Sequence, residues 1–184
     1  MDGNPKLPVF KYHPDPIRTG SVVPSLSPCA CCGASRGYLY DGPVYGGEDA
    51  KVQICPWCIA AGSAAERLGV EFTDSKGIGD YGRWPPVSDA VIAEVARRTP
   101  GFTGWQFERW RTCCDDACEY LGRAGEKELS GAWAEARASV LEDAGVAAED
   151  STSFLRSLNA DGDATAYVFR CRSCGKLSGY FDAN

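Results

Sequence analysis

The hydrophobic pattern is clearest in the middle of the chain and at its C-terminal end. Apolar side chains recur at helical spacing over residues 89–98, with Ser88 before them and Thr99-Pro100-Gly101 after them as typical helix boundaries. Residues 165–170 alternate as a strand does, and a second strand-like run covers residues 177–181. The pattern therefore predicts a helix at 89–98 and a C-terminal β-hairpin.

Weaker patterns predict the other elements. Short strands are predicted over residues 9–12, 36–40 and 51–54. Helices are predicted over residues 56–68 and 127–142, with Gly69 and Gly145 as their stops. Together these elements predict the α+β fold class, in which small zinc-ribbon or knuckle strands have several helices packed around them.

Composition narrows the class of protein. The chain has 184 residues with 44% hydrophobic and 24% charged residues, which is typical of one soluble globular domain spanning 1–184. No apolar run is long enough for a membrane helix, and the N-terminus lacks a signal-peptide pattern, so the expected location is the cytoplasm. The net charge of −6 argues against a broad basic surface for nucleic acid.

The unusual feature of the composition is ten cysteines beside a single histidine. In a cytosolic protein, cysteines at such spacings are more often metal ligands or redox groups than disulfides. Cys29/Cys32 and Cys55/Cys58 form two C-x2-C pairs separated by residues 33–54, which is close to the spacing of a four-cysteine zinc ribbon. We therefore predict a first structural Zn²⁺ site in the ribbon-like part, residues 29–58.

A second site is predicted in residues 113–184, where the C-terminal hairpin would close a second knuckle. Cys171/Cys174 needs two partners, and Cys114 and Cys118 would share one helix face if residues 115–121 were helical. These four cysteines are the predicted ligands of a second structural Zn²⁺. Cys31 and Cys113 are expected to be spectators.

Other roles for these cysteines remain open at this point. The first four could be buried thiols or a disulfide, and the second four could be structural thiols. Cys55-Pro-Trp-Cys58 precedes a predicted helix, whose N-terminus would lower a thiol pKa, so a thiol redox enzyme using Cys55 or Cys113 is a minority hypothesis.

No sequence motif indicates an enzyme. The chain contains no P-loop, no G-x-S-x-G and no H-E-x-x-H, and four-cysteine zinc sites leave no open coordination position. His13 lies in a Pro-rich turn, where a structural hydrogen bond is the more common role than acid–base catalysis. Residues 71–86 mix aromatic and acidic side chains, which suits a surface for a basic partner or a cover for the ribbon. The predicted partner-binding residues are Asp74, Asp80, Tyr81 and Trp84.

Several co-linear motifs over residues 8–182 resemble the bacterial CbrC family. They include Phe10-Lys-Tyr-His-Pro-Asp-Pro16, Cys55-Pro-Trp-Cys-Ile59, Arg98-Thr-Pro-Gly-Phe102 and Cys171-Arg-Ser-Cys-Gly-Lys176. The family pattern places a histidine where Cys113 stands, which leaves open whether Cys113 replaces Cys114 or Cys118 as a ligand.

The resemblance implies a role in colicin tolerance or toxin immunity. We therefore expect a non-enzymatic, zinc-stabilised immunity protein that binds and neutralises a bacterial protein toxin domain, with a basic nuclease as the leading candidate. Neither a membrane nor a nucleic acid is expected as its partner. The alternative is a zinc-ribbon regulator that contacts nucleic acid through a small basic patch, made of Arg36, Lys51, Arg83, Arg97 and Arg98.

Overall fold

The computed structural model describes residues 6–47 and 52–184. Within these ranges the chain forms a mixed α+β fold of small antiparallel sheets and six α-helices. The strands are β1 (Val22–Pro24), β2 (Tyr38–Tyr40), β3 (Tyr45–Gly46), β4 (Val70–Glu71), β5 (Thr112–Cys113), β6 (Asp116–Ala117), β7 (Glu119–Ala124), β8 (Ala164–Arg170) and β9 (Leu177–Ala183). The helices are α1 (Pro56–Ala60), α2 (Ser63–Leu68), α3 (Asp89–Arg98), α4 (Glu126–Ser130), α5 (Arg137–Ala144) and α6 (Ser151–Ser157).

The sheets are small except at the C-terminal end. β1 pairs with β2, β3 with β4, and β5 with β6, each over two or three residues. β7, β8 and β9 form a three-stranded sheet in that order, and β8 and β9 pair over seven residues. The predicted C-terminal hairpin is therefore confirmed, and it is the longest regular pairing in the described residues.

The prediction for α3 is confirmed at both ends. The Oγ of Ser88 accepts a hydrogen bond from the backbone N–H of Val91, and the helix ends at Arg98 before the predicted boundary residues. Gly69 and Gly145 both adopt left-handed φ values at helix ends, +65° in each case, as predicted for helix stops.

The two longer predicted helices are interrupted. Gly62, at φ +77°, separates α1 from α2, so residues 56–68 form two short helices. Residues 127–142 form α4, a 3₁₀ turn at Ala134–Ala136, and α5, with Gly131 at the end of α4. In both segments glycine permits a bend that the apolar pattern alone does not reveal.

Two further predictions are wrong. Residues 9–12 form no strand, although the carbonyl of Tyr12 accepts a hydrogen bond from the N–H of Tyr120 in β7 at 2.8 Å. Residues 115–121 are not helical: Asp115 completes a tight turn with Cys114, β6 and β7 follow it, and Cys118 lies between these two strands. The predicted strand at 51–54 lies partly outside the described residues, and residues 52–54 form no strand, although the carbonyl of Ile54 accepts a hydrogen bond from the N–H of Tyr40 in β2 at 2.9 Å.

The interior divides into an N-terminal and a C-terminal part. In the N-terminal part, apolar residues such as Phe10, Ile54 and Phe72 pack around buried cysteines. In the C-terminal part, aromatic side chains cover one side of the β7–β8–β9 sheet, and α4, α5 and α6 cover the other. None of the helices in the described residues is long and apolar enough to span a membrane.

Candidate metal centres

The first cysteine cluster brings together the four predicted residues Cys29, Cys32, Cys55 and Cys58. Their sulfur atoms all lie within 4.8 Å of one another. A tetrahedral metal with metal–sulfur bonds of about 2.3 Å places its sulfurs about 3.8 Å apart. The sulfurs of Cys32 and Cys55 are 3.9 Å apart, so the spacing fits a tetrahedral metal ion.

Two local structures build this cluster. Cys29 begins a knuckle in which the N–H of Gly33 donates to the Cys29 carbonyl at 2.7 Å and the N–H of Cys29 donates to the carbonyl of Ala34 at 3.0 Å. Gly33 has a φ of +71°, which favours glycine. Cys55 and Cys58 lie at the start of α1, where Pro56 occupies the first turn and lacks the N–H that would otherwise have no partner.

Backbone N–H groups stabilise the thiolate form of Cys29, which is the form that binds metal. Burial raises the pKa of Cys29, but N–H groups of Cys55, Cys32 and Cys31 stabilise its thiolate and lower the pKa to about 7. The N–H of Cys55 is 3.2 Å from the Cys29 sulfur. Because thiolates are the metal-binding form of cysteine, this arrangement prepares the site for a cation.

The second cluster contains Cys113, Cys114, Cys171 and Cys174, whose sulfurs also lie within 4.8 Å of one another. The sulfurs of Cys113 and Cys114 are 3.6 Å apart, again close to tetrahedral spacing. Cys118, which we predicted as a ligand, is outside this group, and Cys113, predicted as a spectator, is inside it. The assignment of Cys118 is therefore corrected.

The hairpin of β5 and β6 explains this correction. Cys114 and Asp115 form the two-residue turn with left-handed φ values of +52° and +57°, so the chain reverses where a helix was predicted. This turn brings the sulfurs of Cys113 and Cys114 within 4.8 Å of those of Cys171 and Cys174. Cys118 lies beyond the hairpin, is fully buried, and has a thiol pKa that burial raises well above its usual value.

The second cluster repeats the knuckle of the first. The N–H of Gly175 donates to the Cys171 carbonyl at 3.0 Å, the N–H of Cys171 donates to the carbonyl of Lys176 at 2.9 Å, and Gly175 has a φ of +74°. Burial raises the pKa of Cys171, but N–H groups of Cys174 and Ser173 contribute to a net lowering to about 7. The two knuckles therefore present their first sulfur in the same way.

The predicted partner-binding residues do not form one free surface. Asp80 is 3% exposed and forms ion pairs with Arg83 at 3.1 Å and Arg109 at 3.4 Å. Trp84 is half-buried, with the guanidinium of Arg111 4.4 Å from its ring. Asp80 and Trp84 therefore hold the loop in place rather than face a partner.

The other two predicted residues remain accessible. Asp74 is half-buried, and its carboxylate accepts from the N–H of Lys76 and, at 3.4 Å, from the hydroxyl of Tyr81. Tyr81 is 53% exposed and adopts a left-handed φ of +55°. Such a backbone is unusual for a tyrosine and is held by the paired Asp80 beside it.

The sequence did not reveal the exposed aromatic neighbour of Tyr81. Phe107 is 64% exposed, and both side chains line a groove of about 460 Å³ that also contains Arg109 and Phe181. The loop that carries Phe107 is fixed by hydrogen bonds from the N–H groups of Trp105 and Gln106 to Asp182, at 2.9 and 3.0 Å. The signal for this site in the sequence is the pair of aromatic residues in Trp105-Gln106-Phe107, to which no function was assigned.

His13 is placed as a structural group. It is fully buried, and burial lowers its pKa to about 4, so the ring is neutral near pH 7. Its Nδ1 lies 2.7 Å from the carbonyl of Pro100 and must carry the proton, because a carbonyl only accepts. Its Nε2 is then the acceptor for the hydroxyl of Thr19, also at 2.7 Å.

Acidic side chains are concentrated on the helices that cover the sheet. Residues 126–150 contain seven acidic and two basic residues, so this segment carries most of the net charge of −6. Asp143 pairs with Arg109, and Glu128 accepts from the N–H of Gly125 at the start of α4. The remaining five carboxylates are exposed: Glu126, Glu135, Glu142, Glu149 and Asp150. We call these five residues the acidic helical face.

Comparison with known proteins assigns the chain to a family, and the matched region includes both cysteine clusters. Residues 7–183 match the profile of the uncharacterised protein family UPF0167. A UPF0167 protein of Pseudomonas aeruginosa is 40% identical over 174 residues, which cover 94% of this chain and 95% of that protein. UPF0167 proteins of Mycobacterium bovis and Mycobacterium tuberculosis are each 44% identical over 179 residues, covering 96% of this chain and 94% of each relative. No solved structure matches the chain.

Proposed function

The chain belongs to the uncharacterised protein family UPF0167, and we propose that it is a zinc-stabilised immunity protein that binds and neutralises a bacterial toxin domain in the cytoplasm. A basic nuclease domain is the expected partner. The proposal combines the resemblance to the CbrC family with the charge and shape of the surface. The observation that carries it is the acidic helical face.

Zinc is the metal that we assign to both clusters. Four thiolates at tetrahedral spacing are typical of structural Zn²⁺ and of iron–sulfur sites. We choose zinc because Zn²⁺ does not change its oxidation state, so the protein around it does not have to control a reduction potential. Each site offers four sulfur ligands. A metal held by four thiolates keeps no position for water or substrate, which supports a structural role rather than a catalytic one.

The charge distribution supports a basic partner. Each four-thiolate zinc site carries a formal charge of −2, so the zinc-loaded protein is more acidic than its net charge of −6 suggests. The five exposed carboxylates of the acidic helical face lie in residues 126–150, a segment whose helices α4 and α5 pack against the sheet in one core cluster. Such a face attracts a positively charged surface from a distance and raises the association rate. A nuclease domain presents such a positive surface where it contacts the phosphates of its substrate.

Exposed aromatic side chains supply candidate anchors beside this face. Tyr81 and Phe107 stand on loops that hydrogen bonds hold rigid, and rigid exposed aromatics are typical of binding hot spots. Arg109 connects the two areas, because it lines the groove beside Phe107 and also binds Asp143 of α5 at 2.8 Å. A partner that covers the groove therefore lies next to the acidic helices.

The alternative functions have less support. In the basic patch considered for nucleic acid, Arg83, Arg97 and Arg98 pair with Asp80, Glu71 and Glu94, which reduces the charge available to phosphate, and Lys51 lies outside the described residues. Cys55 and Cys113, the candidate nucleophiles of a thiol enzyme, each lie in a four-sulfur group. Their geometry supports metal binding over nucleophilic chemistry.

Co-purification with a toxin tests the proposal. The zinc-loaded protein and the nuclease domain of a toxin encoded next to it are expressed together, and the complex is isolated through a tag on the toxin. We expect a stable complex and loss of nuclease activity at equimolar protein. If the two proteins do not associate and the nuclease stays active, the proposed function is wrong.

Charge reversal then tests the acidic helical face. Replacing Glu135 and Glu142 with lysine should lower the association rate about tenfold at low salt, because steering depends on these charges. Reversal of Glu66, an exposed acid on α2, serves as the control and should leave the rate nearly unchanged. Phe107→Ala should instead raise the dissociation rate, since it removes an anchor.

A further inference from the structure

A second groove lies on a different part of the surface from Tyr81 and Phe107. It has a volume of about 420 Å³ and is formed by residues 18–21, 102–103, 120, 122–123 and 160–161, together with Asp41. We call it the arginine groove, because Arg18 and Arg123 both line it. We propose that the arginine groove binds a small molecule that carries an oxyanion, either a phosphate or a carboxylate group.

An unpaired hydroxyl in the wall of this groove carries the proposal. The side chain of Tyr120 is 2% exposed, and it lines the groove. Its ring stacks on Phe102 at 4.0 Å and meets the His13 ring edge-on at 5.1 Å. Within residues 6–47 and 52–184 its hydroxyl makes no hydrogen bond. Because this hydroxyl has no protein partner and lines the groove, it can donate to a ligand oxygen without breaking an existing contact.

The hydroxyl of Tyr120 is a donor at neutral pH. Burial raises its pKa well above the usual value, and the positive charges of Arg123 and Arg18 oppose this effect without overcoming it. The phenol therefore keeps its proton and can donate to an oxyanion.

The two arginines are held in position and retain free donors. Nη2 of Arg18 donates to the carbonyl of Leu121 at 2.7 Å, and its Nε donates to Asp15 at 3.1 Å. Nη2 of Arg123 donates to the carbonyl of Thr103 at 3.3 Å. The Nη1 groups of both arginines have no partner among the described residues. Guanidinium groups fixed in this way bind planar or tetrahedral oxyanions well.

A glycine keeps the floor of the groove open. β7 has a register irregularity between Tyr120 and Gly122, and Gly122 has a φ of +134°, which other residues rarely adopt. A Cβ at this position would lie 3.7 Å from the Thr19 side chain and 3.8 Å from Nη1 of Arg18. The irregularity therefore brings backbone, rather than a side chain, against the guanidinium.

The lining also limits the class of ligand. Asp41 and Asp161 are exposed acidic residues in the same groove, so its charge is mixed. A polyanion such as nucleic acid would be repelled by them, whereas a small ligand can place its oxyanion at the arginines and hydroxyl or amino groups at the carboxylates. The volume is in the range of small-molecule sites.

An NMR titration of the full-length, zinc-loaded protein tests this site. Inorganic phosphate and acetate are added in separate experiments at constant ionic strength, and backbone amide shifts are followed. We expect saturable shifts in residues 18–21 and 120–123 with at least one probe. Response to phosphate alone assigns a phosphate-bearing ligand, and response to acetate alone assigns a carboxylate.

Three variants make the result specific. Tyr120→Phe should weaken binding about tenfold without lowering the melting temperature, because only an unpaired hydroxyl is removed. Arg123→Gln should weaken it by a similar factor, whereas Arg156→Gln, which removes an exposed charge on α6, should not. Absence of saturable shifts with both probes, or equal affinity in wild type and Tyr120→Phe, would overturn the proposal.

Discussion

The first cysteine cluster lies largely inside the protein and the second lies at its surface, although both begin with the same knuckle. Cys29, Cys55 and Cys58 are buried, and in the second cluster only Cys171 is buried while Cys114 and Cys174 are exposed. The strands beside the two clusters show the opposite order: the buried cluster has the shorter strands and the exposed cluster has the longer ones. Strands near the first cluster are two or three residues long, whereas the second is attached to seven-residue strands.

This difference indicates what each metal contributes to folding. The apolar residues of the N-terminal part pack directly on the buried cysteines, so we expect metal binding at this cluster to be coupled to formation of the core. The β7–β8–β9 sheet packs on one side against α4, α5 and α6 in a core without cysteines, whereas Cys171 belongs to the aromatic core on its other side. We therefore expect the first zinc to be required for folding and the second to fix only the end of a sheet that is already stable.

The largest effect is expected at the first cluster. Cys58→Ser should lose one zinc and unfold the N-terminal part, because structural zinc binding contributes about 10–16 kcal/mol, which is comparable to the whole stability of a domain. Metal analysis and circular dichroism of the purified protein measure both effects. A variant that loses one zinc and keeps its cooperative melting would show that the N-terminal core does not depend on metal.

A smaller effect is expected at the second cluster. Cys174→Ser should also lose one zinc, but the protein should stay folded, with a melting temperature lowered by several degrees, because the sheet core remains. Comparison with Cys58→Ser controls for the loss of one thiol and one metal. Equal unfolding of the two variants would remove the distinction between the clusters.

The first cluster could be predicted from the sequence because its evidence is local. Two C-x2-C pairs at ribbon spacing, a glycine after the first pair and a proline after Cys55 each specify their own short segment. The second cluster depends on the pairing of β5 with β6. The C-x3-C spacing of Cys114 and Cys118 also fits one face of a helix, and no local signal distinguishes that helix from a hairpin turning at Cys114-Asp115.

The prediction of partner-binding residues was limited in the same way, because contacts between residues far apart in the sequence decide which side chains are exposed. Mixed aromatic and acidic residues over 71–86 suggested an exposed face, but the sequence could not show that Asp80 is buried beside an arginine partner 29 residues away. It likewise could not show that Asp182 of β9 fixes the loop of the exposed Phe107 by accepting hydrogen bonds from two backbone N–H groups. Exposure depends on such distant contacts, whereas helix caps and glycine stops depend on neighbouring residues.

A contact between the two parts should respond to pH. Glu108, beside Arg109, is buried and accepts a hydrogen bond from the hydroxyl of Tyr45 in β3, and burial raises its pKa to about 7. Its folded-state pKa is therefore above the unfolded value of 4.5. The stability that Glu108 contributes is fully present below the unfolded-state pKa of 4.5. It is lost as the pH rises from there through the folded-state pKa of about 7.

Glu108→Gln should remove this dependence. Between about pH 5.5 and 8, the wild type should lose about 2 kcal/mol of unfolding free energy relative to the variant, measured by urea unfolding of the zinc-loaded proteins. Metal release is common to both proteins and cancels in the difference. Parallel pH profiles would show that the carboxyl ionises normally and does not make the contact between the two parts sensitive to pH.

The smallest effect on stability should come from Cys118, and it tests which cysteines belong to the second cluster. Cys118→Ala should keep both zinc ions and lose about 1 kcal/mol, because it removes one buried sulfur from a packed core. Cys113→Ser should instead lose one zinc, as Cys174→Ser does. Because the two positions are five residues apart in the same hairpin region, metal content decides between them directly: zinc loss in Cys118→Ala would restore the helical arrangement of ligands that the sequence suggested.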